Sequence, residues 1–385
     1  MMDKIQPGQR VESVDVLRGM VMIIMALDHT RDYFSVLRFP PEDLSRATPL
    51  LFFTRWITHL CAPAFFLLAG LGAALSLSRG RSKKELRWFL LTRGLWLMFL
   101  EATIMQLAWN FAWGFPIFLI VIWALGLSMV VLAGLVFLPE IAVAVIALVL
   151  IFGHNLLDGI QPASFGSLAG IWNLLHTPGF AIPGKVLIAY PLIPWVGVMA
   201  LGFALGRVYR WDPVNRRRFL LRTGMIAIAG FIVLRGFNLY GNPAPWTVQD
   251  SPVMTVASFL NTLKYPPSLH FLLMTLGPSF ILLVVFERAR GKLADFVMIY
   301  GRVPFFYFIL HIFVIHLLAY AFAVIQGGTG AFLGLDISSY PEWYGTTLPG
   351  VYLAWAIVVL ICYVPCRLYA DFKRRRTDLI WPSYL

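Results

Sequence analysis

The sequence predicts an all-α, polytopic membrane bundle of about ten transmembrane helices with its N-terminus and C-terminus cytoplasmic, and three observations predict it. Hydrophobic residues make up 59% of the 385 and charged residues only 13%, at a mean hydropathy of +0.76, a balance foreign to ordinary soluble domains. Ten apolar runs approach the roughly 20 residues that a helix needs to cross the hydrocarbon core. All but seven of the 31 Lys and Arg collect at alternate ends of those runs, as the positive-inside rule requires.

The first run, about 14–36, is apolar until "MALDHTRDYF", where Asp28, His29, Arg31 and Asp32 crowd its outer half. The second, 50–78, places Arg55 and His59 four apart on one face, with Pro63 loosening the backbone hydrogen bonding one turn deeper. The third, 86–108, carries Glu101 at mid-span and Asn110 just past its outer end. Then come 115–137, a short run at 139–154, 186–208, 219–238 and 270–288, the last opened by His270. The ninth, 299–325, sets Tyr307 and His311 four apart on one face, with His316 about 140° away. The tenth, 349–371, holds Cys362 and Cys366, whose spacing suits close helix packing; three cysteines give no disulfide framework.

Charge orients these runs. Lys4, Arg10 and Arg18, the stretches Arg79 to Arg93, Arg207 to Arg222 and Arg288 to Arg302, and the tail Arg367 to Arg376 fall inward. Arg31, Arg38, Arg46, Arg55, Lys185, Arg235 and Lys264 fall outward. The chain reads as one membrane domain, 1–385, with a cytoplasmic segment at 1–13, a cytoplasmic tail at 372–385, and Gly-, Pro- and aromatic-rich outer loops at about 155–185, 239–269 and 326–348. The net charge of +12 then expresses topology, and no nucleic-acid partner is expected. The first run lacks a small-residue cleavage site, so a cleaved signal peptide is not expected either.

All seven histidines fall between the membrane centre and the outer side, which points to a polar cavity on that half. With Asp28 at zero on a helical wheel, Asp32 falls near 40°, His29 near 100° and Arg31 near −60°. A carboxylate beside an imidazole makes a general base, because it stabilises the imidazolium formed on taking a proton. The plainer account is an interfacial cluster that reaches the headgroups, with Arg55 in a structural salt bridge to Asp28 or Asp32. His311 is a second candidate base or a buried hydrogen-bonding residue. No HxxxH spacing occurs, and no metal is expected. The basic, aromatic-interleaved stretches "RGRSKKELRWFLLTR" and "RVYRWDPVNRRRFLLR" serve anionic membrane lipids or dock a phosphorylated soluble cofactor, for which Arg81, Lys83, Lys84 and Arg217 are the candidates.

"RVESVDVLRGMVMIIMALDHTRDYF" followed by "TRWITHLCAPAFFLLAGLGAAL" resembles the bacterial branch of the heparan-alpha-glucosaminide N-acetyltransferase family, within the transmembrane acyltransferase superfamily. "YPLIPWVGVMALGFALGRVY" and "YGRVPFFYFILHIFVIH" look like its later segments, in order. The resemblance runs from about residue 11 to 320. It implies transfer of an acyl, typically acetyl, group from cytoplasmic acetyl-CoA or another acyl-CoA to a sugar amine or hydroxyl beyond an inner (plasma) membrane. The lysosomal members carry an Asn near the end of the first helix and a His in the loop after it, but residues 33–54 contain no His. The imidazole is then expected from His29, His59 or His311.

The combined expectation is an acyl-CoA-dependent acyltransferase in which Asp28 or Asp32 orients His29, and His59 and His311 complete the catalytic group. Arg31, Arg55, Asn110, Tyr307 and His270 are its substrate-binding candidates, with a glycan or amino sugar as acceptor. The alternative is a proton-coupled transporter or flippase of a saccharide or lipid-linked glycan, using the same cluster. The oligomeric state, homo-oligomers included, is left open.

Overall fold

A computed structural model describes residues 11–376 with 378, 379, 381 and 384; Lys4 and Arg10, with the rest of 1–10, lie outside the described residues. Helices account for nearly all of the regular structure. In chain order they are α1 (Glu12–Phe34), α2 (Pro49–Thr58), α3 (Cys61–Ser78), α4 (Lys83–Leu100), α5 (Gln106–Asn110), α6 (Val121–Leu135), α7 (Glu140–Gly153), α8 (Ala169–Leu175) and α9 (Leu192–Ala204). They continue as α10 (Pro213–Gly236), α11 (Pro252–Leu260), α12 (Leu269–Val285), α13 (Lys292–Arg302), α14 (Pro304–Ile325) and α15 (Leu348–Arg375).

Among the described residues, eight helical runs are long and apolar enough to cross a membrane, among them α2 with α3 and α4 continued through α5. The protein is therefore a polytopic membrane protein. Helix α6 falls short at 15 residues. Helix α1 has the length, at 23 residues, but is charged at both ends. Its neighbours enclose it, and most of its residues are buried.

Three of the runs expected to be continuous are interrupted. The second breaks at His59–Leu60 between α2 and α3, one turn ahead of Pro63. The third widens into a π-helical turn at Glu101–Met105 between α4 and α5. The ninth is two helices, α13 and α14, parted at Val303, because Pro304 has no N–H with which to continue the ladder. Connecting segments also form a small sheet not anticipated from sequence: β1 (Ile117–Leu119), β2 (Gly179–Ile182) and β3 (Val186–Ile188), in the order β1-β3-β2. Strand β1 runs parallel to β3 with Phe118 opposite Leu187, and β2 runs antiparallel to β3 through a bulge between Phe180 and Ile182.

Lipid tails give helices no hydrophobic reason to associate, so close backbone approach through small residues carries the packing. Gly19 of α1 and Gly301 of α13 bring their backbones together, with a β-carbon on Gly301 striking the Asp15 carbonyl. Gly70 and Gly202 do the same for α3 and α9, where a β-carbon on Gly202 would overlap the Leu67 carbonyl. These pairs lock α1 and α3 into the centre. The assembly has two unlike ends. At one, Glu12 and Arg290 pair and Arg216 and Arg217 clasp Glu287; this is the basic face. At the other, Ser35 bridges to Thr346 and Asn261 donates to the Glu42 carbonyl; this is the loop face.

Candidate active site

Two imidazoles from distant parts of the chain meet inside the bundle. His29 Nδ1 of α1 lies 2.8 Å from His311 Nε2 of α14. His311 Nδ1 lies 2.9 Å from the Tyr307 carbonyl oxygen, the i−4 acceptor that a helical histidine can reach. A carbonyl only accepts, so Nδ1 of His311 carries the proton and its Nε2 is an acceptor. His29 must then donate from Nδ1, which leaves the lone pair on its Nε2. Tyr307 stacks on His311 at 4.9 Å, and Trp109 meets the His29 ring edge-on at 4.9 Å, so packing fixes both rings.

Beside this pair runs a chain of alternating charges. Arg31 Nη1 is 2.7 Å from Asp28 Oδ1, and its Nη2 is 2.6 Å from Asp32 Oδ1. Arg55 donates from Nη1 to Asp28 and, at 2.7 Å, from Nε to Glu42 Oε1. His59 Nε2 closes the series 3.7 Å from the same Glu42 oxygen. Asp28, Arg31 and Arg55 are all buried, and each is held by opposite charge as buried ions must be. In the loop, burial alone would raise the Glu42 carboxyl, but Arg55 and His59 outweigh it and hold it well below the usual carboxylate range.

This arrangement corrects one expectation. The carboxylates of Asp28 and Asp32 are engaged by arginines, and the hydrogen bond that orients His29 comes from His311. Helical spacing puts Asp28 and Asp32 near His29 on one helix, but the opposite charges of Arg31 and Arg55 claim them.

Two cavities with shared lining residues flank the His29–His311 pair. One, of about 170 Å³, is lined by His29, Asp28, Asp32, Arg55, Lys264 and Tyr265, with Glu101, Trp109 and Tyr190 also in its wall. Glu101 is held there as Oε2 accepts the Trp123 N–H at the start of α6, 3.0 Å away. The other, of about 370 Å³, opens on the basic face, where Arg18, Arg79, Arg81, Arg93, Arg302 and Lys373 line it. The rest of its lining is largely apolar and includes Val121 and Phe308, which also line the His29 cavity. A third hollow, of about 190 Å³ toward the loop face, shares Asp32 and Arg55 with the His29 cavity.

Other candidates fall elsewhere. His270 caps its own neighbourhood, with Nε2 3.1 Å from the Tyr240 carbonyl. Asn110 accepts the Leu335 N–H at 3.2 Å and ties α5 to the loop that closes the His29 cavity. Tyr307 acts through its carbonyl and ring on His311. Arg81 lines the basic cavity, whereas Lys83 and Lys84 open α4 exposed to solvent and Arg217 Nε pairs with Glu287 at 2.5 Å. The sequence reading did not single out Glu42, Lys264, Tyr190 or Tyr265. Each comes from a loop, where no periodicity marks a face; the local cue was polarity beside prolines, as in "FPPED" and "KYPPS".

The family model for heparan-alpha-glucosaminide N-acetyltransferase, catalytic, matches residues 10–238, which include α1 through α10 and so the His29 side of the pair. No curated protein matches the chain.

Proposed function

The chain belongs to the heparan-alpha-glucosaminide N-acetyltransferase catalytic family, and from that premise we propose that it transfers acetyl from acetyl-CoA, on the basic face, to a sugar amine or hydroxyl that enters from the loop face. The basic face is then cytoplasmic, both termini lie on that side, and the protein sits in the inner (plasma) membrane as a bacterial-type member. The observation that carries this reading is that the basic-face cavity and the His29 cavity share Val121 and Phe308 in their walls, with His29, held by His311, lining the second.

The lining supports the donor assignment. Guanidinium forks at the mouth suit the phosphates of a nucleotide, and the apolar throat beyond them suits a pantetheine arm and its thioester. His29 Nε2 takes the proton from the acceptor as its nitrogen or oxygen attacks the thioester carbonyl carbon. The new C–N or C–O bond forms, the C–S bond breaks, and the proton passes from His29 to the departing thiolate. His311 holds the imidazole in the required tautomer and accepts from Nδ1–H throughout, so the imidazolium is never left unpartnered. Lys264 and Tyr265, across the cavity, are placed to hold acceptor hydroxyls; there Lys264 and Arg55 overcome the upward push of burial and lower the Tyr265 phenol.

Labelled acetyl-CoA supplied to purified membranes tests the proposal. The enzyme should liberate CoA and label a glycan or amino sugar, and His29→Ala should lose nearly all of both while the protein stays folded. A transporter using the same cluster would be indifferent to acetyl-CoA, and that result would sink the reading.

A further inference from the structure

We propose that the loop face carries a divalent transition-metal site, suited to Zn²⁺, formed by His154, Asp158 and His176. One ligand atom from each of these side chains lies within 4.8 Å of the others. His154 caps the C-terminal end of α7 and is 2% exposed, yet neither of its ring nitrogens has a hydrogen-bond partner among the described residues. A buried imidazole without a partner gives up its water for nothing, which a ligand aimed at the same point would remedy. His176, at the end of α8, is also buried and places Nε2 2.9 Å from Asp158 Oδ1. Metal–ligand bonds of about 2.0–2.1 Å in a tetrahedron put neighbouring donors about 3.3 Å apart, so this pair needs only a small shift to share an ion.

The surroundings are built as a metal's second layer usually is. Asn155 Nδ2 donates to the other Asp158 oxygen at 2.9 Å, and its own Oδ1 accepts the Leu269 N–H of α12 at 2.9 Å. The carboxylate is thereby fixed from a second helix. Two imidazoles and one carboxylate suit Zn²⁺, whereas Ca²⁺ and Mg²⁺ ask for all-oxygen shells. The Asp158 side chain is 29% exposed, which leaves the remaining coordination position open to water. None of the three residues lines the His29 cavity, so the site is separate from the proposed chemistry. Its effect is to fasten α8, and the β2–β3 hairpin that follows it, to the end of α7.

The test uses full-length protein purified in detergent through a tag without histidines, stripped with EDTA and titrated with Zn²⁺ alone. One Zn²⁺ per chain should remain after desalting, and loading should raise the unfolding midpoint. Asp158→Asn preserves shape, so its metal-free midpoint should match that of the stripped parent while its Zn²⁺ affinity falls at least tenfold; His154→Ala and His176→Ala should lose uptake. Failure of the parent to retain Zn²⁺, or equal retention by Asp158→Asn and both alanine variants, would overturn the site. Displacement of Zn²⁺ by equimolar Ca²⁺ or Mg²⁺ would overturn the metal class.

Discussion

His29 Nδ1 and His311 Nε2 stand 2.8 Å apart, and the Tyr307 carbonyl decides which of them holds the proton between them. Removing each ring should therefore have different consequences. His29→Ala removes the proposed base and should lower kcat by about 10²–10⁴-fold, the usual contribution of a positioned general base. His311→Ala leaves the base but frees its tautomer and rotamer. It should lower kcat by about tenfold or more with KM for acetyl-CoA little changed, and it should alter the pH profile of kcat. A kinetic comparison of the two variants checks this; equal KM effects with no change in the profile would reduce His311 to a packing residue.

Arg55 joins two carboxylates from different segments, Asp28 of α1 and Glu42 of the following loop. Arg55→Ala leaves Glu42 facing only His59 and strips Asp28 of one of its two guanidinium partners. Breaking a buried pair from one side costs about 3–5 kcal/mol, so the unfolding midpoint in detergent should fall sharply. Arg55→Lys should recover only part of the loss, because an ammonium cannot offer the Nε and Nη1 donors to two acids at once.

The parts of the fold legible in the sequence were those written along one helix. Apolar run length marked the spans, and charge inside an apolar run marked Asp28, His29, Arg31 and Arg55. The His29–His311 bond was not legible, because it joins α1 to α14 across 282 positions and only the packing of both helices sets its register. The basic cavity was not legible for a similar reason. Runs such as Lys83–Lys84 and the arginines around Arg217 drew attention as clusters, yet the lining takes Arg18, Arg79, Arg93, Arg302 and Lys373 from separate helix ends that converge in space. Arg93 offered the best local cue, an arginine set within the apolar stretch "FLLTRGLWL". The His154, Asp158 and His176 group was not legible because His176 lies 18 positions beyond Asp158 and only the path of the intervening loop returns it to the other two.

Glu42 makes stability depend on acid. Its folded carboxyl sits well below the usual range, so below an unfolded value of about 4.3 the unfolded chain binds a proton that the native protein does not. The stabilisation is fully present above that value and drains away as pH falls. The unfolding midpoint should drop steadily from about pH 5 downward, and Glu42→Gln should start lower at neutral pH and fall less steeply. Parallel midpoint-against-pH curves for the two proteins would contradict the assignment.

Gly202 is a packing requirement of α9 against α3. An added β-carbon would overlap the Leu67 carbonyl, which as backbone cannot rotate away. Gly202→Ala should destabilise by about 1–3 kcal/mol, in line with other overpacked interiors, and should lower activity by displacing α3. Gly236 at the end of α10 has nothing within 4 Å of an added β-carbon, so Gly236→Ala should leave the midpoint close to that of the parent. Thermal unfolding of the two variants side by side separates close packing from a general dislike of alanine.

Arg81 lines the mouth of the basic cavity, its guanidinium 4.4 Å from the centre of the Phe89 ring. If the mouth receives a nucleotide, its contribution must act through phosphate charge. Arg81→Glu should raise KM for acetyl-CoA about tenfold or more, the scale expected when a charge-assisted hydrogen bond gives way to repulsion. Acetyl-pantetheine has the same thioester and arm but no phosphates, and with it the parent and the variant should show nearly equal KM. Added salt should raise KM for acetyl-CoA in the parent more than in the variant, because screening removes an attraction that the variant does not have. An equal rise in KM for both donors would place the effect of Arg81 on cavity shape and return the basic mouth to a purely topological role.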